Sequence, residues 1–597
     1  MLRAPFAFSR LSCCVLFACA VGMAGCDGSA VDTPEPAAEP SAVVDDDGGV
    51  LADGGDGPID GGAPTDGGVV TDGGVVTDGG AVDTDGGLHV DGGEADAGVD
   101  VVAPQSGVEV DTLSGTVRGE VDGTLRVFKG IPFAEPPVGD NRLRAPQPVQ
   151  PWDGLLEADS YGPSCPAPFS VNEGDEDCLT LNIWGHLDDT PRPVMVWIYG
   201  GGFLVGETAL PTYEGDDLAQ DADVVVVSIN YRLGLLASLA LEELRDEDPL
   251  GAMGNMGLLD QVEALRWIKA NIAAFGGDPD NITVFGESAG AMSTCALLGT
   301  PLADDLFHKA ILQSGSCSMV MTPFDDTWTG NSITMSNAYV DELGCGDAED
   351  KLACLRALDV DDFTETADLM AMLGSLLEGG FVVGPTLDGV VLPQTPFERL
   401  SSGAAPARPL LAGSNSNEGA LFTSADWVIT RGGMTDRLED AMGDRQLAED
   451  VTDLYSIIEF PLAEDAYNAF LGEFMFNCNS YQTVRSLDDD GYYYYLQVGP
   501  AVLTTTYGPL HAADVFYVFG DFLGTGIVPT PVDIALSDRF QQAWGSFART
   551  GAPAWGDEPW EKTSSTPDVF GVDLIPGMED DFRGGRCDAL RALGVLP

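Results

Sequence analysis

The chain has 597 residues, and 44% of them are hydrophobic, which is enough for a sizeable buried core. Its 96 acidic residues far outnumber its 27 Lys and Arg residues, and the formal net charge is −69. A surface of this charge repels the phosphates of nucleic acids and the headgroups of anionic lipids. The composition therefore excludes nucleic-acid binding as a leading function.

The first residues of the chain predict export. An apolar run over 11–25 follows two arginines, and it has the length of a signal peptide but is too short to span a membrane. The run ends in Met-Ala-Gly-Cys, which resembles a bacterial lipobox. We therefore expect residues 1–25 to be removed, Cys26 to be lipidated and the protein to reside in the cell envelope. Simple secretion is the alternative, because Met23 stands where the lipobox pattern prefers leucine.

Residues 26–106 have a different composition from the rest of the chain. This segment is rich in Asp and Gly, contains no Lys or Arg, and repeats the motif Thr-Asp-Gly-Gly-Val-Val. Its apolar side chains are too few to offset the conformational entropy of folding, so we predict disorder. The spacing of calcium-binding Asp-Gly repeats is absent. The segment is interpreted as a solvated tether between the membrane and a folded domain at 107–597.

Apolar strands alternate with helical segments in the folded domain. The runs at 193–198 and 224–229 are continuously apolar, which is typical of strands buried on both faces of a sheet. Residues 256–274 carry apolar side chains at helical spacing, and 282–285 predicts a further strand. No second change of composition occurs. We predict one large α/β domain with a central, mostly parallel sheet covered by helices.

The strand at 282–285 leads directly into Gly-Glu-Ser-Ala-Gly, which precedes a helix-forming segment. A strand, a GxSxG turn and a helix form a nucleophile elbow, which exposes the serine above the edge of the sheet. This context predicts Ser288 as a nucleophile, the alternative being a glycine-rich turn without chemistry. An oxyanion hole also needs backbone N–H groups. Ala289 would supply one, and the glycine-rich loop at 199–203 would supply others.

Few residues could serve as the general base, because the chain contains only four histidines. They are His89, His186, His308 and His511. His89 falls in the tether, His186 precedes the serine, and His308 follows it closely in a predicted helix. An α/β-hydrolase orders its triad as serine, acid and histidine, usually with long intervals. This order favours His511, which lies in a loop late in the chain.

Two acidic residues between the serine and His511 follow apolar runs. Asp388 lies in Leu-Asp-Gly-Val-Val, which is typical of a hairpin turn. Glu418 follows an apolar run through the polar segment Ser-Asn-Ser-Asn. Spacing favours Glu418 only weakly, and both residues stay open as the acid of a triad.

Four segments together resemble the type-B carboxylesterase family, which includes the cholinesterases. Residues 275–290 match its nucleophile signature throughout, and Glu-Asp-Cys-Leu-Thr-Leu-Asn-Ile at 176–183 matches its second signature. Residues 130–139 and 230–234 are also similar to the family. The resemblance extends from about residue 108 to the end of the chain. It implies an α/β-hydrolase fold, hydrolysis of carboxylic esters, and no metal or organic cofactor.

The same resemblance implies three catalytic residues and three backbone donors of an oxyanion hole. The catalytic residues are Ser288, Glu418 and His511, and the donors are Gly201, Gly202 and Ala289. In this mechanism His511 takes the proton of Ser288 and later activates water, while Glu418 holds the imidazolium and balances its charge. Glu287 would either tune the field at the nucleophile or serve only in packing.

The cysteines of the folded domain can form several disulfides. The resemblance implies Cys165–Cys178, Cys345–Cys354 and Cys478–Cys587. Cys295 and Cys317 have no counterparts in the family, so we expect free buried thiols at these two positions. Disulfides agree with export.

Departures from the family pattern bear on the substrate. The loop between Cys165 and Cys178 has no Trp or Tyr, whereas the loop of cholinesterases supplies a Trp that stacks on choline. Leu421 stands at a position that is aromatic in animal acetylcholinesterases, although Phe422 remains. A cation–π cage is therefore incomplete. We expect small uncharged esters of short or medium acyl chain, because the negative field disfavours anionic ones.

Other functions are compatible with the same sequence. A lipase or a carbamate or amide hydrolase would use the same triad. A catalytically silent adhesion ectodomain could keep the fold without the chemistry. Such a relative is expected to lack Ser288, Glu418 or His511, and all three are present. Hydrolysis of carboxylic esters is therefore the predicted function.

Overall fold

The structure is a computed structural model of the whole chain. It describes Gln105 and residues 107–596, except for 169–173, 189, 319–321, 324–331, 367–382, 424–428, 488–490, 523, 567, 574 and 581. The predicted signal peptide, the lipidation site and almost all of the predicted tether lie outside the described residues. No helix in the described part of the chain is long and apolar enough to cross a membrane.

An 11-stranded mixed sheet forms the centre of the folded domain. Its strands are β1 (Glu120–Asp122), β2 (Leu125–Pro132), β3 (Thr180–His186), β4 (Arg192–Ile198), β5 (Val225–Ile229), β6 (Gly277–Glu287), β7 (Lys309–Gln313), β8 (Leu410–Asn415), β9 (Gly491–Leu496), β10 (Val569–Val572) and β11 (Gly577–Glu579). The order across the sheet is β11-β10-β9-β8-β7-β6-β4-β5-β3-β2-β1. All pairs from β10 to β5 are parallel, and the pairs at both edges are antiparallel. The predicted mostly parallel centre is confirmed.

Shorter strands form three small sheets. One contains Glu109–Asp111, Thr116–Arg118 and Leu155–Glu157; the others pair Thr322–Pro323 with Thr386–Leu387 and Thr504–Thr505 with Gly508–Pro509. Single turns of 3₁₀-helix occupy Gly139–Asn141, Pro211–Tyr213, Ile272–Phe275, Pro301–Ala303, Glu418–Phe422 and Ala501–Leu503. Phe582–Gly585 form an irregular turn in which Arg583 and Gly584 have left-handed backbone angles.

The α-helices of the described residues connect the strands. They are α1 (Asp216–Ala222), α2 (Gly234–Ser238), α3 (Glu242–Glu247), α4 (Met256–Asn271), α5 (Ala289–Gly299), α6 (Ser332–Glu342), α7 (Lys351–Arg356), α8 (Val360–Thr366), α9 (Pro396–Ser401), α10 (Arg431–Met442), α11 (Arg445–Asp453), α12 (Ala463–Gly472), α13 (Cys478–Arg485), α14 (Ala513–Phe519), α15 (Pro531–Thr550) and α16 (Arg586–Ala592). A π-helical turn at Glu473–Asn477 joins α12 to α13.

The central strands are the apolar runs that the sequence predicts. Strands β4 and β5 lie within one residue of the predicted limits, and all of β5 is buried. Helix α4 ends at Asn271, slightly before the predicted limit, because the chain tightens into a 3₁₀ turn. Gly276 then adopts φ 82°, a conformation that glycine reaches without a steric penalty, and β6 begins at the next residue.

Aromatic side chains fill the core beside β4. The fully buried ring of Trp197 lies 4.9 Å from the rings of Phe285 and Phe519 and 5.1 Å from that of Tyr213, measured between centroids. Helices α5 and α15 both pack against β4 and β6, and α13 packs against β8 and β9. Helices and aromatic rings thus cover the sheet at the strands whose ends carry the candidate site.

Four disulfides cross-link the described part of the domain. Three are the pairs implied by the resemblance: Cys165–Cys178, Cys345–Cys354 and Cys478–Cys587. The fourth joins Cys295 to Cys317, so the expectation of free thiols at these positions is wrong. Helix α5 packs against β7, and this brings Cys295 and the loop after β7 together, with the two Cα atoms 5.0 Å apart.

Candidate active site

Ser288 lies between the end of β6 and the start of α5. Its backbone has φ 55° and ψ −121°, a conformation that costs energy for any residue other than glycine. Small neighbours make this turn possible: a Cβ at Gly286 would lie 2.5 Å from the carbonyl carbon of Gly290, and one at Gly290 would overlap the carbonyl oxygen of Ile198. The GxSxG segment therefore forms the sharp strand–turn–helix that the sequence predicts.

The loop at 199–203 lies against this turn. A Cβ added at Gly200 would lie 3.0 Å from the Cβ of Ser288. Gly201 and Gly202 have φ of 118° and 64°, and neither N–H group donates a hydrogen bond to a described residue. Ala289 is the first residue of α5, so its N–H has no acceptor within the helix. These three amides are free to bind an oxyanion.

His511 and Glu418 form a buried pair. The Nδ1 atom of His511 lies 2.5 Å from Oε2 of Glu418, within hydrogen-bonding distance. Glu418 follows the carboxyl end of β8, as Ser288 follows that of β6, and both strands belong to the parallel part of the sheet. The N–H of Asn417 donates to the carbonyl of Pro509 at 3.0 Å, which ties the two loops together.

The second oxygen of Glu418 is held by hydrogen-bond donors. Oε1 accepts from the hydroxyl of Ser314 at 2.6 Å, from the backbone N–H of Asn415 at 2.5 Å and from the Asn415 amide at 3.3 Å. Charge-assisted hydrogen bonds of this kind fix a carboxylate in position. The orientation of the Glu418 carboxylate is therefore fixed by contacts other than the one with His511.

A second carboxylate faces the opposite ring nitrogen of His511. Oε1 of Glu287 lies 3.1 Å from Nε2, but the geometry does not form a hydrogen bond. Burial raises the pKa of Glu287, although the nearby His511 opposes this shift. Burial lowers the pKa of His511, but Glu287 and Glu418 outweigh burial, and the net direction is upward. The two groups titrate as a coupled pair.

Asp514 lies behind the pair and is also fully buried. Its carboxylate accepts hydrogen bonds from the side chains of Gln313 and Asn415, each at 3.0 Å, and from the hydroxyl of Tyr494. Burial raises the pKa of Asp514, and the hydrogen bonds oppose that shift. Because Asn415 contacts both Glu418 and Asp514, one network orders the two acids.

Two phenylalanine rings enclose the imidazole of His511. The ring centroid of Phe476 lies 4.4 Å from that of His511, and the centroid of Phe422 lies 5.1 Å away in an edge arrangement. Phe476 belongs to the π-helical turn, a geometry that is frequent at functional sites. Phe422 stands out in the sequence beside Leu421, whereas Phe476 does not, because no local sequence pattern predicts a π-turn.

The remaining histidines of the described chain have structural roles. Nε2 of His186 lies 3.1 and 3.2 Å from two backbone carbonyls, and this histidine ends β3. Nδ1 of His308 accepts a hydrogen bond from the N–H of Ile282 at 3.0 Å. His308 lies in a bend directly before β7, so the predicted helix at this position is wrong. His89 lies outside the described residues.

The side chain of Asp388 stabilises the turn that follows it. Its Oδ1 accepts hydrogen bonds from three successive backbone N–H groups, those of Val390, Val391 and Leu392. The preceding short strand pairs in parallel with another segment, so Asp388 does not form the predicted hairpin. Its carboxylate therefore caps a loop, and of the two open acids only Glu418 contacts His511.

The chain order is serine, glutamate, histidine. Ser288 and Glu418 directly follow parallel strands of one mixed sheet, and His511 lies beyond the next strand of that sheet, β9. This arrangement defines the α/β-hydrolase class. In such sheets, ligands bind outside the carboxyl ends of the strands, where Ser288 and Glu418 lie. Within the described residues, no group of three or more His, Cys, Asp and Glu side chains is arranged to hold a metal ion.

Comparisons with known proteins agree with this class. The sequence model of the carboxylesterase family matches residues 106–590. Para-nitrobenzyl esterase from Bacillus subtilis (strain 168) is 35% identical over 468 residues, which cover 76% of this chain and 91% of that protein. Acetylcholinesterase from Leptinotarsa decemlineata is 32% identical over 524 residues, covering 77% and 82%. A solved structure of PNB esterase matches with a TM-score of 0.71 and 34% identity over 81% of this chain and 99% of that one. The chain belongs to the carboxylesterase family, and it is a carboxylic-ester hydrolase.

Proposed function

We propose that the protein cleaves uncharged esters of short or medium acyl chain through a covalent acyl-enzyme on Ser288, with His511 as general base and Glu418 as its partner. The observation that carries this proposal is the 2.5 Å contact between Nδ1 of His511 and a Glu418 carboxylate that three other donors hold in place. Glu418 thereby selects the tautomer whose Nε2 accepts a proton.

The reaction has two halves. In the first, His511 takes the hydroxyl proton as Ser288 attacks the ester carbonyl, and the imidazolium then gives that proton to the departing alcohol. In the second, His511 takes a proton from water, hydroxide attacks the acyl-enzyme, and the proton returns to Ser288 as the carboxylic acid leaves. Each half passes through a tetrahedral oxyanion. The N–H groups of the oxyanion hole (Gly201, Gly202 and Ala289) stabilise it, each typically by about 10²–10³ in rate.

Charge supports a preference for uncharged substrates. Glu287, Glu418 and Asp514 are buried beside His511, and the whole chain carries a formal net charge of −69. An anionic ester would approach against this field. The same acids would attract a cation, but Leu421 takes the place of an aromatic residue that would enclose one.

The test is hydrolysis of 4-nitrophenyl acetate, butyrate and decanoate by the full chain and by Ser288→Ala. We expect the substitution to lower kcat by about 10⁴-fold or more, because nucleophile and base act as one unit. Ser401→Ala, at an exposed position at the end of α9, is the matched control and should retain full activity. Activity that survives in Ser288→Ala would contradict the triad. A rate that rises up to decanoate would indicate a lipase, and cleavage of anilides at comparable rates would indicate an amide hydrolase.

We also propose that the enzyme is an exported lipoprotein, cleaved before Cys26 and tethered by residues 26–106. The apolar run over 11–25 and the Met-Ala-Gly-Cys segment support this proposal. Cys26→Ser should move the enzyme from the membrane fraction to the soluble fraction and abolish labelling by a fatty-acid probe. If the wild-type protein is already soluble and unlabelled, simple secretion is correct.

A further inference from the structure

The Cys295–Cys317 disulfide joins two parts of the site. Cys295 belongs to α5, the helix that begins directly after the nucleophile. Cys317 lies three residues beyond Ser314, whose hydroxyl donates to Oε1 of Glu418 at 2.6 Å. Both cysteines are fully buried. The cross-link therefore connects the helix of the nucleophile to the loop that holds the acid.

The loop has to keep an unfavourable backbone conformation to hold the acid. Ser314 has φ 51°, which is uncommon for a residue with a side chain. Its N–H donates to the carbonyl of Gly413 on β8 at 2.8 Å, which aims its hydroxyl at Glu418. The residue before it, Gln313, accepts the N–H of Ser288 at 2.9 Å. A shift of this loop would thus disturb hydrogen bonds of both Ser288 and Glu418.

Other, non-covalent contacts hold the same loop against α5 and α13. A Cβ added at Gly315 would overlap the Cβ of Ala291, so the loop backbone lies directly on the first turn of the helix. Beyond the disulfide, the Ser318 hydroxyl donates to Oδ1 of Asn479 at 2.7 Å. The N–H of Cys317 reaches the Thr483 hydroxyl at 3.4 Å, a long hydrogen bond. The disulfide is the covalent constraint among these contacts.

We propose that Cys295–Cys317 is a positioning element of the catalytic acid. The cross-link holds the 314–317 loop on α5, the loop holds Ser314 in its strained conformation, and Ser314 holds Glu418 against His511. The inference rests on the proposed triad. It predicts that the disulfide contributes to turnover through Ser314, in addition to any contribution to stability.

A double-mutant cycle separates positioning from simple stabilisation, because perturbations that act through one residue are not additive. The four proteins are the wild type, Cys295→Ala/Cys317→Ala, Ser314→Ala and the triple variant. Removing the disulfide should lower kcat about tenfold and leave KM within about twofold. In the Ser314→Ala background, the same removal should change kcat by less than about twofold. The proposal would be overturned if the loss of kcat in the triple variant equalled the product of the two separate losses. An unchanged kcat in the folded disulfide variant would overturn it as well.

Two further variants serve as controls for this experiment. Cys345→Ala/Cys354→Ala removes a disulfide that joins the segment after α6 to α7, and it is expected to lower the melting temperature without changing kcat. If Cys295→Ala/Cys317→Ala does not fold, Cys295→Val/Cys317→Ala restores most of the lost volume without the cross-link, and the same loss of kcat is expected. Loss of activity in Ser288→Ala is measured in parallel, so failure of the triad and failure of this inference give different results.

Discussion

Two carboxylates face the two nitrogens of His511, and they are held in different ways. Glu418 is fixed by three hydrogen bonds to one oxygen and offers the other to Nδ1. Glu287 faces Nε2 at 3.1 Å, and its Oε1 accepts no hydrogen bond from a described residue. A carboxylate that accepts several hydrogen bonds keeps one orientation and can therefore orient its partner. A buried carboxylate without such hydrogen bonds acts mainly through its charge. We infer that Glu418 orients the imidazole and that Glu287 adjusts its pKa.

Glu418→Gln should have the largest effect. The amide keeps the size of the side chain but can present an N–H to Nδ1, which stabilises the wrong tautomer of His511. We expect kcat to fall by about 10⁴-fold, as for comparable changes in other serine hydrolases, with little change in KM. Steady-state kinetics on 4-nitrophenyl acetate measure both constants. A loss below about tenfold would mean that Glu418 does not orient the base.

Glu473→Gln extends the comparison to a buried carboxylate whose partners are cations. Glu473 starts the π-turn, is fully buried, and forms ion pairs with Arg583 and Arg586 at 2.7 and 2.8 Å. Removing its charge leaves Arg583 without an anionic partner among the described residues and Arg586 with only the partly exposed Glu459, a loss that we expect to cost about 3–5 kcal/mol. We expect a clear loss in the free energy of unfolding, measured by chemical denaturation. Arg445→Gln, which breaks exposed ion pairs, is the control and should cost less than about 1 kcal/mol.

Glu287→Gln should have the smallest effect on the maximal rate and a specific effect on pH dependence. His511 must be neutral to accept the serine proton, so activity falls as pH drops through its pKa. The Glu287 carboxylate raises that pKa, and its removal should let His511 lose its proton at lower pH. The acidic limb of kcat/KM should therefore move to lower pH, by about one unit. A limb that stays in place or moves upward would show that Glu287 does not act on His511 through its charge.

The parts of the site that depend on local sterics could be predicted from the sequence. The turn at Ser288 needs glycine on both sides, and such a requirement is visible in five consecutive residues. Spacing alone leaves the choice between Asp388 and Glu418 open, because both follow apolar runs. The family resemblance favours Glu418, and the tertiary fold brings that residue to His511. Oδ1 of Asp388 accepts hydrogen bonds from its own turn, and Oδ2 accepts the backbone N–H of Met253 at 3.5 Å.

The parts that depend on contacts between distant segments could not be predicted. The Cys295–Cys317 disulfide arises because α5 packs on β7, and no spacing rule specifies which cysteines such packing brings together. Phe476 contacts His511 only because a π-turn rotates it there, and the hydrophobic pattern does not distinguish that turn from a regular helix. The apolar runs of the sheet, in contrast, predict buried strands without any knowledge of contacts between distant segments.

Gly290 packs so closely on the carbonyl of Ile198 that no side chain fits between the nucleophile turn and the end of β4. The loop at 199–203 continues from that same strand end, so the turn of the proposed nucleophile and the loop of the proposed oxyanion hole form one closely packed backbone unit. Neither can be displaced without the other. We therefore expect substitutions that change the range of accepted esters to lie in the segments around this unit.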